Sequence, residues 1–173
     1  MKIKMAEVKV EKVVLSIGAT EEALEGGVKL LERLTGKKAI KRKSTRRIPS
    51  LGVRPGLEIG AMITLRGKKA IEILKKLLAT VDNQIKEKQI LDNSFSFGIK
   101  EYIEIPGIQY QRDIGIMGFD VSVAFTKSGK RVIRKKIKRG KFPKRQQVKK
   151  EEIIKFIEEN LGTEVLRKRT GGV

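Results

Sequence analysis

The sequence contains no cysteine, no histidine and no tryptophan. Without cysteine neither a disulfide framework nor a thiolate zinc site can form, so a small secreted scaffold loses its main support and the cytosol is the expected compartment. Without histidine as well, a Ser-His-Asp triad, a Cys-His pair and the common zinc sites are excluded. Most hydrolase chemistry ends there. No apolar run approaches the roughly eighteen residues that span a bilayer, and the first twenty residues lack the apolar core of a signal peptide. A soluble protein with no membrane partner is expected.

Acidic residues are also scarce, with twenty Asp and Glu against forty Lys and Arg, a formal net charge of +20. Such an excess costs stability through self-repulsion and persists where a polyanion cancels it, which points to nucleic acid. The 173 residues fit one domain, 1–173, able to bury roughly 70% of the surface its unfolded form exposes.

The positive charge is concentrated. Seven of the eleven residues from Lys37 to Arg47 are basic, and no acid interrupts from Arg33 through Leu57. Beyond Lys43 the character changes, because Pro49, Gly52, Pro55 and Gly56 block both helix and continuous strand. A basic strand ending near Lys43 and a projecting loop from Ser44 to Gly56 follow. A second basic run spans Val121 to Lys150, with thirteen cations and no acid.

Around these runs the chain alternates strands and helices. VKVEKVVLSIG (8–18) is β-branched and places Val13, Leu15 and Ile17 on one face. Thr20 can cap a helix in which Leu24, Val28, Leu31 and Leu34 recur at helical spacing; Gly36 would end it, and Gly26-Gly27 would delay its start. EIGAMITLRG (58–67) alternates, burying Ala61, Ile63 and Leu65. The next helix carries Ile71, Leu74, Leu78 and Val81 on its stripe. A polar connector, 86–93, leads to SFSFGIKEYIEI (94–105), which is broken at Pro106-Gly107, and then to FDVSVAF (119–125). A last helix near Lys149 to Asn160 buries Ile153, Ile154, Ile157 and Leu161 before Gly162, and the RKRTGGV tail (167–173) is expected to be mobile. The fold class is α+β: an antiparallel or mixed sheet with helices on one face and a projecting basic loop.

Remaining catalytic chemistry would need carboxylates. Glu101, Glu104, Asp113 and Asp120 lie close in sequence, as a magnesium-dependent nuclease requires, but Glu101 and Glu104 would point to opposite faces of a strand. Solvated carboxylates are the simpler reading, with no catalytic residue, metal or cofactor. SGK (128–130) and TGKK (35–38) lack the first glycine of a phosphate loop. Phe95 and Phe97 are expected in the core and not as a base-stacking platform.

The motifs KVVLSIG (12–18), KRKSTRRIPSLGVRPGLEIGAMITLRG (41–67), FSFGIKEYIEIPGIQY (95–110) and IMGFDVSV (116–123) together resemble the large-subunit ribosomal proteins that bind 5S ribosomal RNA, the L-five family. The likeness covers nearly the whole chain. The early first strand and basic C-terminal third are similar to the archaeal and eukaryotic branch. One departure is Gln111, where members often carry Asp after the tyrosine. The resemblance implies a non-enzymatic, ribosome-bound protein in the cytoplasm whose sheet face holds 5S rRNA in the central protuberance. It also implies contacts with large-subunit rRNA, a loop reaching P-site tRNA, and a bridge to a protein of the small-subunit head. Carried over by position, the rRNA-binding residues would be Ser16, Gly18, Lys37, Lys38, Lys41, Arg42, Lys43, Ser44 and Thr64. The tRNA-binding residues would be Arg47, Ser50, Leu51, Gly52, Val53 and Arg54. The rival readings are a basic architectural DNA-binding protein and a magnesium-dependent RNA-processing enzyme.

Overall fold

A computed structural model describes residues 7–166, so the 167–173 tail lies outside the described residues. β1 (Val8–Gly18) is followed by α1 (Glu21–Thr35), β2 (Ile40–Lys43), β3 (Glu58–Leu65) and α2 (Lys68–Thr80). Then come β4 (Gln84–Lys86), β5 (Ile90–Leu91), β6 (Ser94–Ile99) and β7 (Phe119–Lys127). A single helical turn, α3 (Arg131–Arg134), precedes α4 (Lys150–Phe156), which runs on as a π-turn to Leu161 before β8 (Glu164–Leu166). Six strands form one sheet in the order β2-β3-β1-β7-β6-β5, each pair antiparallel. β4 and β8 pair in parallel beside it.

Period-two alternation explains the layering. Val13, Leu15 and Ile17 of β1, Ala61, Ile63 and Leu65 of β3, and Val121, Val123 and Phe125 of β7 are all buried. They meet Leu24, Leu30 and Leu31 of α1, Leu74, Leu77 and Leu78 of α2, and Ile153, Ile154 and Ile157 of α4 in one cluster. The helices thus cover one face, as the alternating strands require. Phe95 and Phe97 belong to this core, with ring centroids 6.0 Å apart.

Four local expectations are corrected. α1 starts at Glu21 despite its two glycines. Both are buried, and a Cβ on Gly26 would stand 3.2 Å from the Ile114 carbonyl oxygen, one on Gly27 3.1 Å from Ile17. Here glycine permits close approach of the helix to the turn at Ile114 and to β1 at Ile17, which outweighs its poor helix propensity. In α2 the buried positions are Ala70, Leu74, Leu77 and Leu78, while Ile71 is exposed. The 86–93 connector holds β5 and buries Ile90. Finally, the strand from Ser94 stops at Ile99, opposite Phe119, and Tyr102–Glu104 form a 3-10 turn. That turn buries Tyr102, whose hydroxyl accepts the Gln111 backbone N–H at 2.9 Å.

Candidate nucleic-acid interface

Strand pairing decides which side chains share the face away from the helices, because opposed residues in antiparallel strands point the same way. Ser16 opposes Met62 on one side and Asp120 on the other. Val14 likewise lies between Thr64 and Ser122, and Ser122 opposes Ser96. Gly18 opposes Gly60, which opposes Arg42. Ser16, Gly18, Arg42, Thr64, Ser96 and Ser122 therefore form one half-exposed to exposed surface. Small residues keep it shallow, and each hydroxyl can both donate and accept. Such a face matches the wide, shallow minor groove of an RNA helix, which displays 2′-hydroxyls.

The basic arm borders this surface at one corner. Gly36, at φ 64°, ends α1, Lys37 and Lys38 follow, both exposed, and β2 forms the sheet edge. Arg42 joins the hydroxyl face, but Lys41 does not. It opposes Ala61, a core residue, and so lies on the helix side, where its ammonium meets the Glu58 carboxylate at 2.9 Å. Alternation along a four-residue strand forces this split. Lys43 follows a bulge and is exposed.

Ser44 is a further correction. It is buried, and its hydroxyl donates to the Arg46 carbonyl at 2.7 Å and accepts the Arg46 N–H at 3.3 Å. The side chain therefore shapes the turn into the loop. Ser44 N–H also donates to the Leu57 carbonyl, and Gly56 N–H to the Ser44 carbonyl, each at 2.8 Å. Farther out, Ile48 and Val53 exchange both backbone hydrogen bonds, at 2.9 and 3.1 Å, around the 3-10 turn Pro49–Leu51. Gly52 closes the tip at φ 65°, a left-handed conformation that favours glycine. The projection is thus a small ordered hairpin. Val53 is buried within it and pins it, whereas Arg47, Ser50, Gly52 and Arg54 are exposed and Leu51 is 72% exposed at the tip.

Alternation along β1 sets Lys12 with Val14 and Ser16 on the hydroxyl face, as the sequence implies. Ser96 and Ser122 were missed there. Their signal was available: they are the out-of-phase partners of buried Phe95, Phe97, Val121 and Val123, but only the pairing register brings them beside Ser16 and Thr64. Among the described residues no cluster of acidic groups has a metal-binding arrangement. Asp120 lies over Gly98 on the sheet face, and Glu104 belongs to the 3-10 turn that follows β6.

The second basic run leaves β7 and folds back on β1. Glu11 reaches it, pairing with Lys130 at 2.5 Å and with the Arg134 guanidinium. Burial alone would raise the Glu11 pKa, but Lys130 and Arg134 together hold it below its ordinary value. A depressed folded-state pKa makes this anchor fully stabilising above about 4.5 and progressively lost as pH falls through the lowered value. Acidification through that lowered value is therefore expected to loosen 130–134 before the core, and Glu11→Gln should remove that dependence. Hydrogen exchange of the Arg131–Lys135 amides measures it.

A sheet bearing helices on one side, with hydroxyls, glycines and a basic edge on the other, defines the class: an α+β RNA-binding protein. Residues 58–156 match the family model for the C-terminus of the ribosomal L-five family. The chain is 45% identical over 169 residues to the large ribosomal subunit protein uL5 of Nanoarchaeum equitans, covering 96% of this chain and 100% of that one. The proteins of the same name from Sulfurisphaera tokodaii and Methanosphaera stadtmanae are 40% and 38% identical, over 94% and 90% of this chain and 94% and 95% of their own. The chain belongs to the ribosomal L-five family, in its archaeal form. It is a structural, non-enzymatic ribosomal protein of the translation machinery, bound to ribosomes in the cytoplasm.

Proposed function

We propose that residues 1–173 act as one RNA-binding domain that helps attach 5S rRNA to large-subunit rRNA in the central protuberance. The observation that carries this is the continuity of the hydroxyl face, through Gly18 and Gly60, with the Arg42 edge and the Lys37-Lys38 corner. Cations there would neutralise phosphates and fix register, while Ser16, Thr64, Ser96 and Ser122 would meet sugars and groove edges. Shape is read more than base sequence. The Ser44–Gly56 hairpin, ordered but standing off the sheet, would present Arg47, Ser50, Leu51 and Arg54 to P-site tRNA. Another exposed surface would bridge to a protein of the small-subunit head.

Replacing Ile48–Val53 by a short Gly-Ser linker separates the two roles. Because the hairpin is closed by its own hydrogen bonds and contributes one buried side chain, Val53, free-protein stability and 5S affinity should change little. Retention of tRNA by reconstituted ribosomes should fall. Filter binding and tRNA dissociation rates measure both, and loss of 5S binding would show that the loop belongs to the anchoring surface.

A further inference from the structure

We infer that the segment Lys130–Arg145 forms a second RNA-backbone site, separate from the sheet face, so that the protein holds two RNA segments at once. The inference rests on the reading of the chain as an rRNA-binding protein.

A cleft of about 420 Å³ opens within this segment, lined by Arg131, Arg134, Lys135, Lys136 and Ile137. That volume is within the range that admits a nucleotide-sized group. Glu11 is the carboxylate that reaches the segment, and it engages Lys130 and Arg134. Among the described residues Arg131, Lys135 and Lys136 have no carboxylate at ion-pair distance, so three cations converge without a counter-charge. Their mutual repulsion favours an anion that offers several charges in a row. A phosphodiester backbone does so, and the 77% exposed side chain of Ile137 provides an apolar surface for a ribose or base. Lys138, Arg139 and Lys141 extend the positive strip beyond the cleft.

The location makes this a separate site. Lys127, the last residue of β7 and three residues before the segment, pairs with Val8 at one end of β1, while Gly18 at the other end pairs with Gly60 beside Arg42. Ten steps of strand at roughly 3.3 Å separate those ends by about 33 Å. The segment is also lightly packed, since Val132 and Ile137 are both exposed. It is fastened by the Glu11 pairs, by Arg139 Nε donating to the Ile133 carbonyl at 2.7 Å, and by Gly140 N–H to the Val132 carbonyl at 3.2 Å. Such a fastening fixes the direction of the cations without a core of its own.

The test uses the full chain and a labelled blunt RNA duplex of about one helical turn. Wild type should bind two duplexes and co-capture two differently labelled ones. Arg131→Gln with Lys135→Gln and Lys136→Gln leaves the Glu11 anchor intact, and this variant should bind one duplex, with the log-log salt slope reduced by roughly one per cation removed. Thermal unfolding checks that the fold is kept, and Lys135→Arg with Lys136→Arg should retain both duplexes. Unchanged stoichiometry and slope in the triple variant would overturn the inference, as would displacement of the second duplex by poly-glutamate at equal charge, which would mark an acidic protein as the occupant. Lys37→Gln, Lys38→Gln and Arg42→Gln together should remove the other duplex. If those changes had no effect while the cleft changes did, the sheet-face reading would fail and this one would stand.

Discussion

Raising monovalent salt from about 50 to about 200 mM should weaken binding to 5S rRNA by roughly a thousandfold or more, if six to ten phosphates are neutralised. Each neutralised phosphate releases condensed counterions, so the affinity falls with a slope set by their number. The net charge of +20 supplies enough cations, and their position matters more than the total. Arg42 lies on the hydroxyl face and Lys37 and Lys38 are exposed just before the same edge strand, whereas Lys41 lies on the helix side with Glu58. Lys37→Gln, Lys38→Gln or Arg42→Gln should each reduce the slope by about one. Lys41→Gln should reduce it less. Filter binding across the salt range measures this, and a nearly flat response would remove the electrostatic basis of the interface.

The second large effect concerns stability. Phe95 is 1% exposed, 6.0 Å from Phe97 and 5.7 Å from Phe125, and Phe125 meets Phe156 edge-on at 5.4 Å. Phe95→Ala would empty the centre of this stack, where β5, β6 and β7 meet α4, so folding should lose about 3–5 kcal/mol. RNA affinity of the folded fraction should be unchanged, because the ring points away from the hydroxyl face. Urea unfolding with binding measured below the transition separates the two quantities. Near-normal stability with lost RNA binding would mean that bases stack on these rings.

Much of this architecture was legible because the strands alternate strictly. Val13, Leu15 and Ile17 announce both the buried face of β1 and, by exclusion, the Ser16 face, and Gly36 and Gly162 mark helix ends at left-handed positions. What escaped the sequence depended on contacts distant along the chain. Gly26 and Gly27 weaken a helix in isolation, and only the proximity of Ile17 and Ile114 reveals their packing role. Lys41 and Arg42 look equivalent in a basic run, yet the register of β2 on β3 sends them to opposite faces. In the same way, a Gly/Pro-rich stretch resembles an open loop until the Ile48–Val53 pair closes it. The parallel pairing of β4 with β8 joins segments nearly eighty residues apart, and no local pattern announces it.

The central claim is that the helix-free face of the sheet receives the RNA. Thr64→Glu and Ser96→Glu place a negative charge on that face without touching the core, and Lys75→Glu, on the exposed side of α2, removes a positive charge and adds a negative one on the helix side. Affinity for 5S rRNA is measured at one fixed salt concentration, with a duplex DNA competitor present to suppress non-specific binding. Like charge facing phosphate costs several kcal/mol when closely apposed, so each sheet-face variant should bind at least about tenfold more weakly at unchanged thermal stability. Lys75→Glu should have a much smaller effect. Equal affinity for Thr64→Glu, Ser96→Glu and wild type, or a larger loss from Lys75→Glu, would place the RNA on the other side of the molecule.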